Sequence, residues 1–301
     1  MSRGAEAPPR TSLLIATYNW KEALRAVLQT VRAQWDLPHE VLVADDGSRQ
    51  DTRDLVAGEA HSFPVPLHHV WHEDAGFRLG AIRNKAMSQA VGEYLIQIDG
   101  DLLLHPGFVA AHRRFARRGC YAQGSRAMLD ERATARLLAA PRLTGLLPSA
   151  WASGVRNRAN ALYAPWLESF VRGPMDPLTR TRGANMAFWR DDIVRVNGYD
   201  ETLEGWGRED SELAARLINA GVRRRNIKFS AVAWHLHHAT QAATAVSRNH
   251  SMFERTVRER RVRCERGIDA YLTAPRPDGT RGARSVGAGA VPGAVPGEHS
   301  G

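Results

Sequence analysis

The chain has 301 residues, enough for one large α/β domain or two small ones around a sizeable core. Hydrophobic residues make up 43% and charged residues 24%, an ordinary globular balance, and no apolar run approaches the roughly 18 residues needed to cross a bilayer. The net charge of +9 is almost entirely arginine, lysine occurring only as Lys21, Lys85 and Lys228; such a balance fits nucleic acid, an anionic membrane, a phosphorylated substrate or simply genomic base composition.

Met1 to Pro9 has no apolar segment of signal-peptide type, and Cys120 and Cys264 make neither a disulfide framework nor a zinc motif, so a cytosolic location is expected. Leu13 to Thr17 reads as a first strand. Asn19 follows as an expected N-cap with Glu22 in capping-box position, and Leu24, Val27, Leu28 and Val31 repeat at helical spacing. Glu40 to Ala44 reads as a second strand ending in Asp45-Asp46-Gly47-Ser48, with a helix from about Asp51 and a third strand over Leu67 to Trp71. A helix from Gly80 to Ala90 and a strand from Tyr94 to Ile98 complete an alternation that implies a mostly parallel sheet. From Glu131 to Arg172 no clean period emerges, and the segment reads as a helical insertion or an amphipathic patch. Order returns with a strand over Gly183 to Trp189, a short helix over Asp191 to Val196, a helix over Asp210 to Ala220, a strand over Phe229 to Trp234 and a basic helix over Ser251 to Arg266. Beyond Ala274 the composition of Pro, Gly, Ala and Ser cannot build a core, so a disordered tail is expected.

Two acidic motifs carry most of the chemistry. Asp99-Gly100-Asp101 closes an apolar strand, and the C-terminal ends of strands are where open α/β sheets bind ligands. Two carboxylates one glycine apart can hold a divalent cation against a diphosphate, although Asp-Gly is also a common turn pair. Glu209, Asp210 and Glu212 open a helix behind Gly205-Trp206-Gly207-Arg208; a carboxylate there can act as a general base or merely suit the helix dipole. Asp45 and Asp46 can accept from a nucleobase or ribose, or cap a helix. Gly76 to Asn84 sets Arg78, Arg83 and Asn84 at a helix start, a place suited to phosphate. His235, His237 and His238 follow a strand, and imidazole suits a transition metal, so one of them is expected to complete an aspartate-based metal site. There is no Walker A sequence, no Gly-x-Gly-x-x-Gly after the first strand and no Gly-x-Ser-x-Gly elbow.

Thr17-Tyr18-Asn19, Asp45 to Ser48, Gly76 to Asn84 and Asp99-Gly100-Asp101 stand in the order in which family 2 glycosyltransferases of the GT-A fold carry them. Gly183 to Asn185 and Gly205 to Asp210 resemble the C-terminal portion of β-1,4-galactosyltransferases and bacterial chondroitin-type polymerases. The resemblance spans roughly residues 11 to 240. It implies a Rossmann-like GT-A sheet flanked by helices, divided into a nucleotide-sugar half (11–125), a helical insertion or acceptor lid (126–180), an acceptor and catalytic half (181–245), a basic helix (246–274) and a disordered tail (275–301). It implies inverting transfer of a sugar from a nucleoside diphosphate sugar, UDP-linked by preference, to a glycan or lipid-linked glycan, with Mn²⁺ or Mg²⁺, as in surface polysaccharide synthesis. By the same resemblance Thr17, Asn19, Asp46, Arg78, Asn84 and Asp99 serve the nucleotide, and Asp99, Asp101 and His235, with His237 as the fallback, serve the metal. Asp210 is the base, Glu209 holds a sugar, and Trp206 with Gly207 meets the acceptor. Peripheral contact with the inner membrane fits the basic segments, and no nucleic acid is expected. The competing readings are a nucleotidyltransferase with an acidic metal site and a basic, non-enzymatic polyanion-binding protein.

Overall fold

A computed structural model describes residues 8–171, 177–178, 181–239 and 246–272; the expected tail, 275–301, lies outside the described residues. The chain opens with β1 (Thr11–Thr17), α1 (Lys21–Arg32), β2 (Glu40–Asp45), α2 (Gln50–Ala60), β3 (Leu67–Trp71), α3 (Leu79–Gln89) and β4 (Tyr94–Asp99). It continues with β5 (Leu102–Leu104), α4 (Phe108–Phe115), β6 (Cys120–Gly124), β7 (Ala127–Leu129), α5 (Glu131–Leu138) and β8 (Val155–Arg156). The last elements are β9 (Asn185–Trp189), α6 (Arg190–Val196), α7 (Glu209–Asn219), β10 (Arg223–Ile227), β11 (Ala233–His235) and α8 (Val246–Arg258).

Seven strands form the central sheet in the order β10-β6-β9-β4-β1-β2-β3, and a smaller sheet runs β5-β11-β7-β8. In the large sheet β3, β2, β1 and β4 are mutually parallel, β10 is parallel to β6, and β9 runs antiparallel between β4 and β6. β1 and β2 are buried along their whole length, as strands covered on both faces must be, which is why they read as unbroken apolar runs. Leu24, Val27, Leu28 and Val31 of α1 cover one face; Ile82, Ala86 and Met87 of α3, with Leu213 and Leu217 of α7, cover the other. Each such side chain contributes about 1.5–3 kcal/mol by leaving water.

The local differences from expectation have identifiable causes. Asn19 is not the cap of α1: it sits in the left-handed region at φ 48°, its Oδ1 accepts from the Arg49 amide at 3.0 Å, and Trp20 takes the cap position without a side-chain bond. The span 126–180 holds one helix, α5, two short 3₁₀ turns, and β7 and β8 of the small sheet; residues 172–176 and 179–180 lie outside the described set. α8 begins earlier than expected and ends at Arg258, because Arg260 turns left-handed at φ 51° while the Arg261 amide reaches back to the Thr256 carbonyl. β10 hides in Arg223-Arg224-Arg225 because an edge strand tolerates charge.

Register brings the working ends together. Thr17 pairs with Asp45, Ala16 with Asp99, and Ile98 with Asn185, so the ends of β1, β2 and β4 and the start of β9 share one rim of the sheet.

Candidate active site and metal centre

The Asp99-Gly100-Asp101 turn rests directly on β1. The Gly100 amide donates to the Ala16 carbonyl at 2.6 Å, and a Cβ at Gly100 would stand 2.8 Å from that oxygen, so the backbones approach as only glycine allows. Asp99 accepts from Arg83 Nη2 at 2.8 Å. The other nitrogen, Arg83 Nη1, donates to Asp210 Oδ1 at 3.0 Å, and Arg83 itself is only 2% exposed. Burial alone would lower the guanidinium pKa, but the surrounding Tyr199, Asp210 and Asp99 outweigh it and raise the value. Asp99 is pushed up, first by desolvation and then by the charges of Asp101 and Asp210, with Arg83 pulling the other way.

Asp210, in the first turn of α7, is held from three sides. Besides Arg83, it accepts from the Tyr199 hydroxyl at 3.0 Å and from the Gly183 amide at 2.6 Å. Tyr199 is fixed in turn by the Gln97 amide at 2.8 Å, and Gln97 also donates to the Gly183 carbonyl at 2.9 Å. The loop before α7 is bent by Gly205, Gly207 and Arg208, all at positive φ, and Asn249 of α8 fastens it by donating to the carbonyls of Glu204 and Gly207. Glu209 Oε2 accepts from the Gly207 amide at 2.9 Å; desolvation, and then the neighbouring Asp210, raises its pKa to about 7. Trp206 stands 42% exposed beside these carboxylates in the chain. Glu212 is separate from them: it pairs with the buried Arg216 at 2.6 Å and accepts from Thr256, tying α7 to α8.

Asp101, His235 and His238 bring one ligand atom each to within 4.8 Å of one another. His235 Nε2 lies 3.4 Å and His238 Nε2 3.1 Å from Asp101 Oδ2. Each ring places Nδ1 against a carbonyl, Leu236 O at 2.7 Å and Ala239 O at 2.8 Å. A carbonyl only accepts, so Nδ1 carries the proton, and in the neutral ring Nε2 turns a lone pair on the carboxylate. That arrangement repels unless a proton or a cation lies between. Asp101 Oδ1 is also buried with no hydrogen-bond partner, a second acceptor that a cation would satisfy. The residues therefore fit a divalent metal. In its absence Asp101 raises His238 to about 9, while burial lowers His235.

His237, the expected fallback, is outside this cluster; its amide donates to Thr134 Oγ1 at 2.8 Å. Strand geometry stops at His235, and the Leu236 amide bonds to the Asp101 carbonyl at 3.0 Å, so the partner of His235 is three residues on, not two. Asp99 is engaged by Arg83 and is likewise outside the cluster.

The expected nucleotide residues divide. Thr17 lies at the rim under Gly100. Asp46 accepts from the Arg78 amide at 3.0 Å and faces His72 at 2.7 Å, so the two are joined, while Asp45 faces His69 at 2.8 Å. Asn19 braces the turn after β2 through Ser48 and Arg49. Asn84 is 0% exposed: its Nδ2 donates to the Tyr199 carbonyl and Glu201, and its Oδ1 accepts from the Tyr199 amide. It fastens α3 to the 199–201 turn rather than facing the rim. Arg83, the residue that links both acidic motifs, was expected only as a helix-start arginine suited to phosphate. Its signal was its company, an arginine beside Ile82, Ala86 and Met87 on the buried face of α3.

Residues 12–141 match the family described as glycosyl transferase family 2, and residues 171–240 match the N-terminal domain of galactosyltransferase. The chain carries a family 2 glycosyltransferase domain. Similar proteins include validoxylamine A glucosyltransferase of Streptomyces hygroscopicus subsp. limoneus, 30% identical over 71% of this chain and 49% of that protein. Chondroitin synthase of Escherichia coli is 27% identical over 74% of this chain and 34% of that one. The chain thus spans about half or less of the length of these relatives. Among solved structures, the mannosyltransferase PcManGT of Pyrobaculum calidifontis, in complex with GDP-Man and Mn²⁺, superposes with a TM-score of 0.51 at 21% identity, covering 79% of this chain and 59% of that one. The likeness identifies the fold as GT-A. The glycosyltransferase domain also contains no described helix long and apolar enough to cross a membrane.

Proposed function

We propose that the protein is an inverting, metal-dependent glycosyltransferase that moves a sugar from a nucleoside diphosphate sugar to a hydroxyl of a glycan or lipid-linked glycan. The observation that carries this reading is the convergence, on one rim of the sheet, of a cation-ready cluster and a carboxylate base, joined by the single guanidinium of Arg83.

In this reading Thr17, Asp46 and Arg78 line the nucleoside side of the rim, and Asp101, His235 and His238 hold the metal. One carboxylate oxygen with two imidazoles suits Mn²⁺ better than Mg²⁺, which prefers oxygen throughout. The metal, when bound, would stabilise charge on the departing diphosphate. Asp210 takes the proton of the attacking hydroxyl. Its three donors fix its direction and still leave lone-pair capacity, since an ionised carboxylate offers about four acceptor sites. Such a base contributes about 10²–10⁴-fold. Arg83 ties the position of Asp210 to that of Asp99. Glu209, braced on the Gly207 amide, holds a sugar hydroxyl, and exposed Trp206 offers a stacking face. With one base and direct attack by the acceptor, the anomeric centre inverts. The exposed Trp151, Trp166 and Phe170, with Arg142, Arg156 and Arg158 in the same stretch of chain, support a peripheral contact with an anionic membrane.

Calorimetry against a panel of nucleoside diphosphates, with and without Mn²⁺, tests the donor half. Binding that needs both the metal and Asp101 is expected, and Asp101→Ala should abolish it. A folded protein that binds no nucleotide, or that releases pyrophosphate instead of a nucleoside diphosphate on turnover, overturns the proposal.

A further inference from the structure

A cavity of about 690 Å³ opens on the β9-β6-β10 side of the same rim. Arg126, Arg182, Arg224 and Lys228 line it, with Asn157, Asn160, Asn226 and other amides between them, and no acidic side chain is among its described lining residues. Arg126 has a buried Nε without a hydrogen-bond partner, and neither Arg126 nor Lys228 forms an ion pair with a described carboxylate. Lys228 lies over the Phe229 ring, 5.1 Å from its centroid. Arg126 and Lys228, facing one cavity with no carboxylate among its described lining residues, favour an anionic occupant.

The cavity is contiguous with the catalytic residues. Arg182 and Ala184 of its wall flank Gly183, whose amide holds Asp210 at 2.6 Å. Gln123, also in the wall, donates to the Arg182 carbonyl at 2.9 Å and stiffens that peptide. Along the rim, β1 and β2 with Thr17 and Asp46 lie on one side of β4, and the cavity lies on the other. A donor on the β1-β2 side and an occupant of this cavity would meet at Asp101 and Asp210. The volume lies within the roughly 300–1,000 Å³ of small-molecule sites and far exceeds a lone ion, and the amides match sugar hydroxyls.

We propose that this cavity is the acceptor subsite and that it takes a sugar carrying an oxyanion, a carboxylate or a phosphate, on or next to the residue that receives the new linkage. The assignment rests on the transferase reading above. Arg126 and Lys228 supply charge-assisted hydrogen bonds to the oxyanion, and the Asn157 and Asn160 amides meet the ring hydroxyls.

The test is calorimetry on protein saturated with Mn²⁺ and its nucleoside diphosphate, titrated with methyl β-D-glucuronide, glucose 6-phosphate and the neutral methyl β-D-glucoside. At least one charged sugar should bind roughly tenfold or more tightly than the neutral one, as a hydrogen bond to a charged group predicts. Which charged sugar wins identifies carboxylate or phosphate. Arg126→Gln and Lys228→Gln should each erase most of that preference without weakening the neutral sugar to the same degree. Equal binding of charged and neutral sugars by wild-type protein overturns the proposal, whether or not either variant folds. So does inorganic phosphate competing as well as glucose 6-phosphate itself, which would reduce the cavity to an anion site. Loss of nucleotide binding in the first place would instead overturn the transferase reading.

Discussion

Arg83 Nη1 lies 3.0 Å from Asp210 Oδ1, across 127 residues of chain, while its other nitrogen holds Asp99 at 2.8 Å. One buried cation therefore fixes the distance between the strand-end carboxylate of Asp99 and the Asp210 carboxylate that opens α7. Lysine, with a single charged nitrogen on a flexible stem, cannot span both positions as a guanidinium does.

Replacing this residue should be costly in two ways. Arg83→Met leaves Asp99 and Asp210 uncompensated in the cleft, and the loss of one partner of a buried pair costs about 3–5 kcal/mol. Thermal unfolding of Arg83→Met against wild type should show a large loss of stability, with Arg83→Lys recovering only part of it. A Met variant as stable and as active as wild type would show that the bridge is incidental.

Gly183→Ala should act on catalysis alone. A Cβ at this position falls on Asp210 Oδ1 and stands 2.6 Å from Oδ2, so the carboxylate must move. A displacement of about 1 Å at a reacting group typically costs about 10²-fold. Turnover should fall by that order while nucleotide binding persists, as steady-state kinetics and calorimetry on the same preparation would reveal.

Mn²⁺ affinity should separate two neighbouring histidines. His238→Ala removes a cluster atom and should weaken the metal at least as much as the roughly 10–100-fold typical for loss of an outer partner. His237→Ala should leave affinity unchanged. Titration of Mn²⁺ followed by electron paramagnetic resonance reads both, and equal effects would remove His238 from the site.

Glu209 should imprint a slope on stability against pH. Burial, followed by Asp210, raises its pKa from 4.5 to about 7 in the folded chain. Below 4.5 it is neutral folded and unfolded, and it makes no difference. Between about 4.5 and 7 the unfolded chain releases a proton that the native state keeps, so this residue's contribution turns increasingly destabilising and then levels off. Glu209→Gln should therefore gain stability relative to wild type as pH rises through that window. Melting temperatures of the two proteins, compared at each pH, check the sign.

The legible parts of the fold were those in which local pattern and tertiary role agree. β1, β2 and β4 are buried on both faces and announce themselves as apolar runs, and the acidic turns that end them follow from that placement. The Asp101, His235 and His238 cluster was half legible: Asp101 and His235 were named as expected ligands, but His238 stands where His237 was the fallback, because the chain leaves strand geometry after His235. Asn84 and Arg83 exchanged importance, the amide being spent on Tyr199 and Glu201 while the guanidinium reaches the acidic motifs. The partners that decide those fates, Tyr199 and Asp210, lie more than 100 residues downstream, out of reach of local pattern. Of the small sheet only β11 was anticipated, by an expected strand over Phe229 to Trp234 that the structure places at Ala233–His235; β5, β7 and β8, of two or three residues, leave no period to detect.

The antiparallel strand β9 pairs Tyr94 with Trp189, and its N-terminal approach supplies the amide that orients Asp210. Closing so long a loop is entropically late, so non-local pairings of this kind form slowly. During synthesis the first four parallel strands can associate as they emerge, but the Gly183 peptide that holds the Asp210 carboxylate is made more than eighty residues afterwards. A nascent or truncated chain would then acquire its donor-side rim well before it could turn over a sugar, a built-in delay between assembling the platform and arming it.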